Sequence, residues 1–334
     1  MTDEPTMTSG PALAGPEGCP PLSVWATAQR DARTQRRGRY VPESMAHPGK
    51  MLPAIAAAAI TRYTAPGDVV ADPMCGIGTT LAEAAYLGRN AVGVEFEGRW
   101  ARIAAANIDW ARRHGAAGDA LVIQGDARQL RNLLPPAAAG TAALILTSPP
   151  YGPSIHGQVR AEARSGGGGV TKFDNTYGTD PANLASRRLD DLLAGFGEIL
   201  TAARTLLRPG GTVVITTRPW RQRGELVDFP AAVLAAGTAA GLIPAERCVA
   251  LLAGMHGSLI ARPSFFQLDN TRKARAQGKP WHLIAHEDVL VFREPGLPGS
   301  PREHNDPQRE PQQSPQERPG PSPRAGGQAG QRAA

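Results

Sequence analysis

The chain has 334 residues, 41% hydrophobic and 20% charged, with a net charge of +6 and a pI near 9.6. That length fits one large domain or two small ones, and the lack of an apolar run of about 18 residues argues against a membrane-spanning helix. The cysteines Cys19, Cys75 and Cys248 are sparse and unpaired in spacing, which argues against a disulfide framework or a zinc site and fits a reducing, cytoplasmic setting.

Residues 1–22 open on acids and prolines and lack the apolar stretch of a signal peptide. They read as a disordered leader. Residues 295–334, rich in Pro, Gln, Gly, Arg and Ser, read as a disordered tail, because neither end can bury enough apolar surface to offset its ordering entropy. Residues 23–294 remain as one domain, a normal size for an α/β unit with insertions.

Within it, strand and helix patterns alternate, which predicts a mostly parallel sheet covered by helices. Residues 53–63 form an alanine-rich helix with proline in its first turn. A short apolar strand, Val69 to Ala71, ends at Asp72 and leads to a helix over 79–87. The second strand, Ala91 to Val94, ends at Glu95 and precedes a helix over 99–114; the third, Ala120 to Ile123, ends near Asp126. The fourth strand is Ala142 to Leu146, and a long helix over 183–207 leads to the turn Arg208-Pro209-Gly210-Gly211. Strands over 212–216, 248–252 and 289–293, with a helix over 230–240, complete seven strands. Residues 153–182, with the run Gly166 to Gly169, and 254–282 read as insertions. A long loop inside a compact domain is usually functional, and the first insertion reads as a lid or substrate-contacting loop, with a plain surface insertion as the alternative.

The strand ends carry the chemistry. Asp72-Pro73-Met74-Cys75-Gly76-Ile77-Gly78-Thr79-Thr80 joins the first strand to its helix. Ligands of open parallel sheets bind outside the carboxyl ends of the strands. Gly76 and Gly78 permit a tight turn and close backbone approach, and the helix start at Thr79 favours an anionic group. Glu95 is placed to accept hydrogen bonds from a pair of ribose hydroxyls, with Glu97 as a rival, and Asp126 to accept from an adenine amino group. A helix-capping role is the alternative for both. The fourth strand runs into Thr147-Ser148-Pro149-Pro150-Tyr151-Gly152. Two prolines fix two φ angles and remove two N–H donors, so the Ser148 and Pro149 carbonyls are held stiffly beside an aromatic ring. Such a loop suits a flat group carrying an NH₂.

These segments resemble the S-adenosylmethionine (SAM) amino-methyltransferases that act on exocyclic amines of nucleic-acid bases. The stretch from Asp72 to Thr80 is similar to their SAM motif, His47-Pro48-Gly49-Lys50-Met51 to a segment just before it, and His286-Glu287-Asp288-Val289-Leu290-Val291-Phe292 to their closing strand. The likeness covers about residues 40–294. It implies a Rossmann-like class I SAM methyltransferase fold with an antiparallel last strand, and SAM as cofactor held by Asp72, Met74, Cys75, Gly76, Gly78, Thr79, Thr80, Glu95 and Asp126. The catalytic set it implies is Ser148, Pro149, Pro150 and Tyr151. Ser148 Oγ and the Pro149 carbonyl accept from the amine, and Tyr151 stacks on the base. A C5-cytosine reaction would need a cysteine in the fourth-strand loop, and none is there.

Serine in the first motif position resembles cytosine-N4 DNA methyltransferases, and DNA is the favoured partner, with adenine N6 as a related target. The cofactor motif precedes the catalytic motif, an order shared with tRNA and rRNA guanine-N2 methyltransferases, and Met74 and Gly152 lean the same way. The short leader cannot hold the RNA-binding domain common in those tRNA enzymes. RNA stays open as the alternative, as does a catalytically silent nucleic-acid-binding module. Basic clusters at Arg30, Arg33, Arg36, Arg37 and Arg39, at Arg218, Arg221 and Arg223, and at Arg272, Lys273, Arg275 and Lys279 either track a phosphate backbone or form solvated faces. Arg218, Trp220, Arg272, Lys273 and Arg275 are the candidate substrate contacts; packing is the equal alternative for Trp220. His156 and His256 read as plain surface or core residues, with pocket lining as the alternative, and Ser264-Phe265-Phe266 as core. No metal site, recognition sequence or oligomeric state is legible.

Overall fold

The computed structural model describes residues 21–151, 158–161, 170–173, 177–178, 180–222, 224–261 and 265–295. Its centre is an eight-stranded sheet: β1 (Val24–Trp25), β2 (Val69–Asp72), β3 (Asn90–Glu95), β4 (Ala120–Gln124), β5 (Ala142–Thr147), β6 (Leu207–Thr217), β7 (Ile243–Leu251) and β8 (His286–Arg293). The order across the sheet is β1-β7-β8-β6-β5-β2-β3-β4. Strands β4, β3, β2, β5 and β6 run parallel to their neighbours, and β8 is antiparallel to both β6 and β7. This is the α/β methyltransferase arrangement, with the last strand reversed as expected. Seven strands are predicted from sequence and eight are found. The extra one, β1, pairs Val24 and Trp25 in parallel with Val249 and Ala250 at the sheet edge, and two residues are too few to display a period.

The helices are α1 (Ala32–Arg36), α2 (Pro53–Tyr63), α3 (Thr79–Tyr86), α4 (Gly98–Arg113), α5 (Leu130–Leu133), α6 (Leu189–Arg204), α7 (Phe229–Ala239) and α8 (Phe265–Ala276). Strand residues are buried on both faces. Leu144 and Leu146 pack with α2 and α3 on one side, and Ile145 packs with α6 on the other. Val214 against Val213 and Ile215, and Val289 and Val291 against Leu290 and Phe292, divide the same way. Period-two side chains in a sheet covered on both faces produce the continuous apolar runs seen in the sequence. In α6 the buried residues Leu192, Phe196, Ile199, Leu200 and Ala203 recur at helical spacing and face the core.

Two predicted boundaries change. The long helix starts at Leu189 rather than Asn183, because the Asn183 side chain caps a separate 3₁₀ turn, Leu184–Ser186, by accepting from the Ala185 N–H. The turn at Arg208 to Gly211 lies inside β6 as a bulge. Ala142 faces Leu207 and Leu144 faces Thr212, so the intervening residues loop out between them, with Gly210 at φ 73°. Short antiparallel ribbons join 158–161 to 170–173, 220–222 to 225–227 and 253–256 to 258–261. They and α8 occupy stretches whose sequence showed no clear period.

Residues 31–51 strap the cofactor-side helices together. The Asp31 side chain caps α1 by accepting from Thr34 N–H. Glu83, 3% exposed on α3, accepts from Tyr40 Oη at 2.7 Å and from Arg39 Nη2 at 2.6 Å. Asn107, fully buried on α4, accepts from Val41 N–H and donates to the Ile77 carbonyl. Glu83→Ala removes a buried acceptor that serves two donors. It is expected to lower unfolding stability by about 2–4 kcal/mol, measured by denaturant unfolding.

Candidate active site

Strand order reverses between β2 and β5: the chain proceeds from β2 outward through β3 to β4, then returns to place β5 on the other side of β2. Ligands of open α/β sheets bind at such a switch point. The loops after β2, β3, β4 and β5 open there into one pocket. Asp72, Met74, Cys75, Gly76, Thr79 and Thr80 line its first wall. Glu95 and Asp126 line a second, and Ser148, Pro149, Pro150 and Tyr151 face it from β5. Most of the predicted constellation therefore meets in space.

Asp72 is 4% exposed, and its Oδ1 accepts from Met74 N–H at 3.1 Å. Burial raises its pKa to about 6. Glu95 holds two loops at once, its Oε2 accepting from Gly76 N–H at 2.9 Å and its Oε1 from Glu97 N–H at 2.8 Å. Burial outweighs these bonds and raises its pKa to about 7. Gly76 sits at φ 55°, and a Cβ there would come within 3.2 Å of the His47 ring. Cys75 is buried, which pushes its thiol pKa well up, so it is a packing residue and not a nucleophile.

Several assignments are refined. Gly78 does not line the pocket. It sits at φ 76° as the left-handed cap of α3, where a Cβ would come within 3.1 Å of Ala104 on α4, so its role is helix packing. Asp126 lines the pocket and also fulfils the capping alternative. It accepts from Arg128 N–H and forms an ion pair with the Arg128 guanidinium at 2.6 Å, which holds its pKa below the usual carboxylate value. Glu97, the rival of Glu95, reaches the rim, where it accepts from Asn183 Nδ2 at 2.7 Å. Arg218 lines the pocket, whereas Trp220 lies beneath it, 7% exposed, with its ring 5.9 Å from Tyr151 and 4.9 Å from Phe229. Packing is the role of Trp220.

The basic clusters divide by position. Arg36 turns inward, 4% exposed, donating to the Met51 carbonyl at 2.6 Å, and Arg39 is paired with Glu83. Arg30, Arg33 and Arg37 are exposed. Arg272, Lys273 and Arg275 are exposed on α8 and do not line the pocket. Lys273 pairs with Asp269, and Arg275 donates to the Trp281 carbonyl. Arg221 stands 4.6 Å over the Trp281 ring. Arg223, His156, Ser264, most of the 153–182 insertion and the side chains of His256, Phe265 and Phe266 lie outside the described residues.

Sequence reasoning assigned no role to four pocket residues. His47 packs edge-on against Trp100 and Tyr177, with ring centroids 4.6 and 5.2 Å apart. Lys50 donates to the His47 carbonyl, and burial lowers its pKa to about 8. Tyr177 and Glu287 also line the pocket. His47, Lys50 and Glu287 belong to recognised motif segments; Tyr177 sits in a stretch without a pattern.

The donor set fits SAM. The start of α3 and the Lys50 ammonium, which line the same pocket, could hold a carboxylate, Glu95 a ribose diol, and the β4 loop an adenine. Among the described residues no three His, Cys, Asp or Glu side chains gather as a metal site, and no helix is long and apolar enough to cross a membrane.

A family model described as DNA methylase matches residues 4–106. A curated relative, tRNA (guanine(10)-N2)-dimethyltransferase of Methanocaldococcus jannaschii, is 29% identical over 125 residues, 37% of this chain and 35% of that protein. The match thus spans about a third of the length of that relative. Similar solved structures include TrmN from Thermus thermophilus, at 19% identity over 78% of this chain and 53% of that one, with a TM-score of 0.45. A methyltransferase from Pyrococcus furiosus has 13% identity over 77% and 88% of the two chains and a TM-score of 0.42. The sequence matches are with a DNA methylase family and a tRNA guanine-N2 dimethyltransferase, each over about a third of this chain.

Proposed function

We propose that the protein transfers a methyl group from SAM to an exocyclic amine of a nucleic-acid base, with cytosine N4 in DNA as the first candidate. The observation that carries this reading is the Ser148-Pro149-Pro150-Tyr151 loop, which opens from β5 into the same pocket as Asp72, Glu95 and Asp126. When bound, SAM supplies an electrophilic sulfonium methyl. Every other part of the reaction falls to the chain's own residues.

The base amine is a weak nucleophile because its lone pair is delocalised into the ring. Ser148 Oγ and the Pro149 carbonyl accept from its two N–H bonds and turn the lone pair outward. The rigid loop holds the amine in line, and orientation of this kind supplies much of the rate. Tyr151 packs against the Trp220 and Phe229 rings, with the Arg218 guanidinium 5.4 Å from its ring centroid. It offers the base a firm ring to stack on. A duplex target must first be flipped out of its stack.

A second reading, guanine N2 in RNA, is favoured by the order of the two motifs and by similarity to the tRNA enzyme. Tritiated SAM offered with DNA and with RNA separates the two. DNA label that disappears in Ser148→Ala supports the first reading, and label in RNA alone moves the function to the second. Label in neither removes the enzyme reading and leaves a nucleic-acid-binding module.

A further inference from the structure

The pocket continues past Tyr151 to a pair of side chains that the amine-gripping loop does not use. Arg218 follows β6 and Glu287 lies near the start of β8, and both line the pocket. Asp288 pairs with Thr217 across these antiparallel strands, so Glu287 and Arg218 stand one step beyond that pair, side by side. Thr216 lies within hydrogen-bonding reach of Glu287 and Thr217 of Tyr151, and the indole N–H of Trp220 is buried with no hydrogen-bond partner among the described residues. This corner is thus polar and buried, a place where an unmatched group is costly.

We infer that Arg218 and Glu287 read the target base and select one that carries a ring carbonyl, cytosine or guanine, against adenine. This deepens the proposed function and rests on it. With the amine held by Ser148 and Pro149, the base's hydrogen-bonding edge runs on to a ring nitrogen and then to a third position. In cytosine and in guanine that third position is a carbonyl oxygen. In adenine it is a C–H. Arg218 is a fixed cationic donor and matches the oxygen. Opposite a C–H it keeps a desolvated N–H without an acceptor, and sites built to bond a polar group discriminate against ligands lacking it by roughly 10⁴-fold.

Glu287 meets the ring nitrogen in either protonation state: as the acid it donates to cytosine N3, as the carboxylate it accepts from guanine N1–H. Burial raises its pKa, with the facing Arg218 guanidinium opposing that rise. The Tyr151 phenol also faces it, and Tyr151 is held neutral by burial.

The test uses the full chain, tritiated SAM, and single-stranded oligonucleotides in which one amino-bearing base, cytosine, guanine or adenine, is set among thymines or uracils. Wild type is expected to label cytosine or guanine at least about 10³-fold faster than adenine. Arg218→Met is expected to cut that preference by about 10²-fold, and the near-isosteric Glu287→Gln to move the cytosine-to-guanine ratio, since cytosine N3 accepts and guanine N1–H donates, while SAM affinity, read by calorimetry, stays within about twofold. A purely structural role would lower all rates together and leave both ratios unmoved. Adenine labelled as fast as the other bases, or both ratios unmoved in their variants, overturns the pair while base methylation stands. Label in no oligonucleotide, with SAM still bound, overturns the methylation reading and the pair with it.

Discussion

Glu95→Ala is expected to weaken SAM binding by on the order of 10²–10³-fold, the largest effect of any single substitution on the cofactor side. The carboxylate ties the backbone N–H of Gly76 to that of Glu97, so its loss frees the glycine turn and the start of α4 together. In the proposed SAM site it would also accept from the ribose hydroxyls, and charge-assisted hydrogen bonds are worth about 1.5–3 kcal/mol each. Calorimetric titration measures the change directly, and an affinity within about threefold of wild type would remove Glu95 from the cofactor site.

The same residue sets a pH dependence whose sign follows from its burial. The folded protein holds the Glu95 proton to about pH 7 and the Asp72 proton to about 6. Stability from these raised groups is complete below the ordinary carboxylate pKa and is lost as pH rises through those values. Binding runs the other way. The ionised Glu95 is the better acceptor, so SAM affinity is expected to climb as pH rises through about 7 and then level off. Glu95→Gln should flatten that step.

Tyr151→Ala is expected to lower single-turnover methyl transfer by about 10²–10³-fold. Stacking on a base is worth roughly 1–3 kcal/mol, and the mutation also removes the ring that packs on Trp220 and Phe229 and lies beside Arg218. The hole left in this cluster should cost about 2–4 kcal/mol of stability, visible as a lower Tm. Tyr151→Phe keeps the ring and its packing, and should retain stability within about 1 kcal/mol and most of the rate. Equal losses in both variants would move the role of Tyr151 from its ring to its hydroxyl.

The centre of the fold was legible because β2 to β6 are buried on two faces, which writes apolar runs into the sequence, and because each run ends in a chemically distinct loop. Asp72, Glu95 and Ser148 could be placed for that reason. The edges were not legible. Strand β1 has two residues, and its pairing with β7 depends on Trp25 finding a core assembled from distant segments. Gly78 was grouped with Gly76 because both belong to one loop, but a glycine that admits a ligand and one that admits a neighbouring helix look alike in sequence. Lys50, Tyr177 and Glu287 reach the pocket only through tertiary packing, from segments 20 or more residues from any of the four strand-end loops. Arg36 and Arg39 show the converse: a run of arginines reads as a charged face until Thr79 and Glu83 are found to receive two of them.

The central claim is that one pocket at the switch point joins SAM to a base amine held by Ser148 and Pro149. Incubation with SAM carrying a trideuterated methyl group, followed by digestion of the nucleic acid and mass spectrometry of its nucleosides, tests it most directly. The label is expected on an exocyclic nitrogen, with N4-methylcytosine in DNA as the first product sought, and absent with Ser148→Ala. Label on a ring carbon or a ribose oxygen, or no label while SAM remains bound, would contradict it.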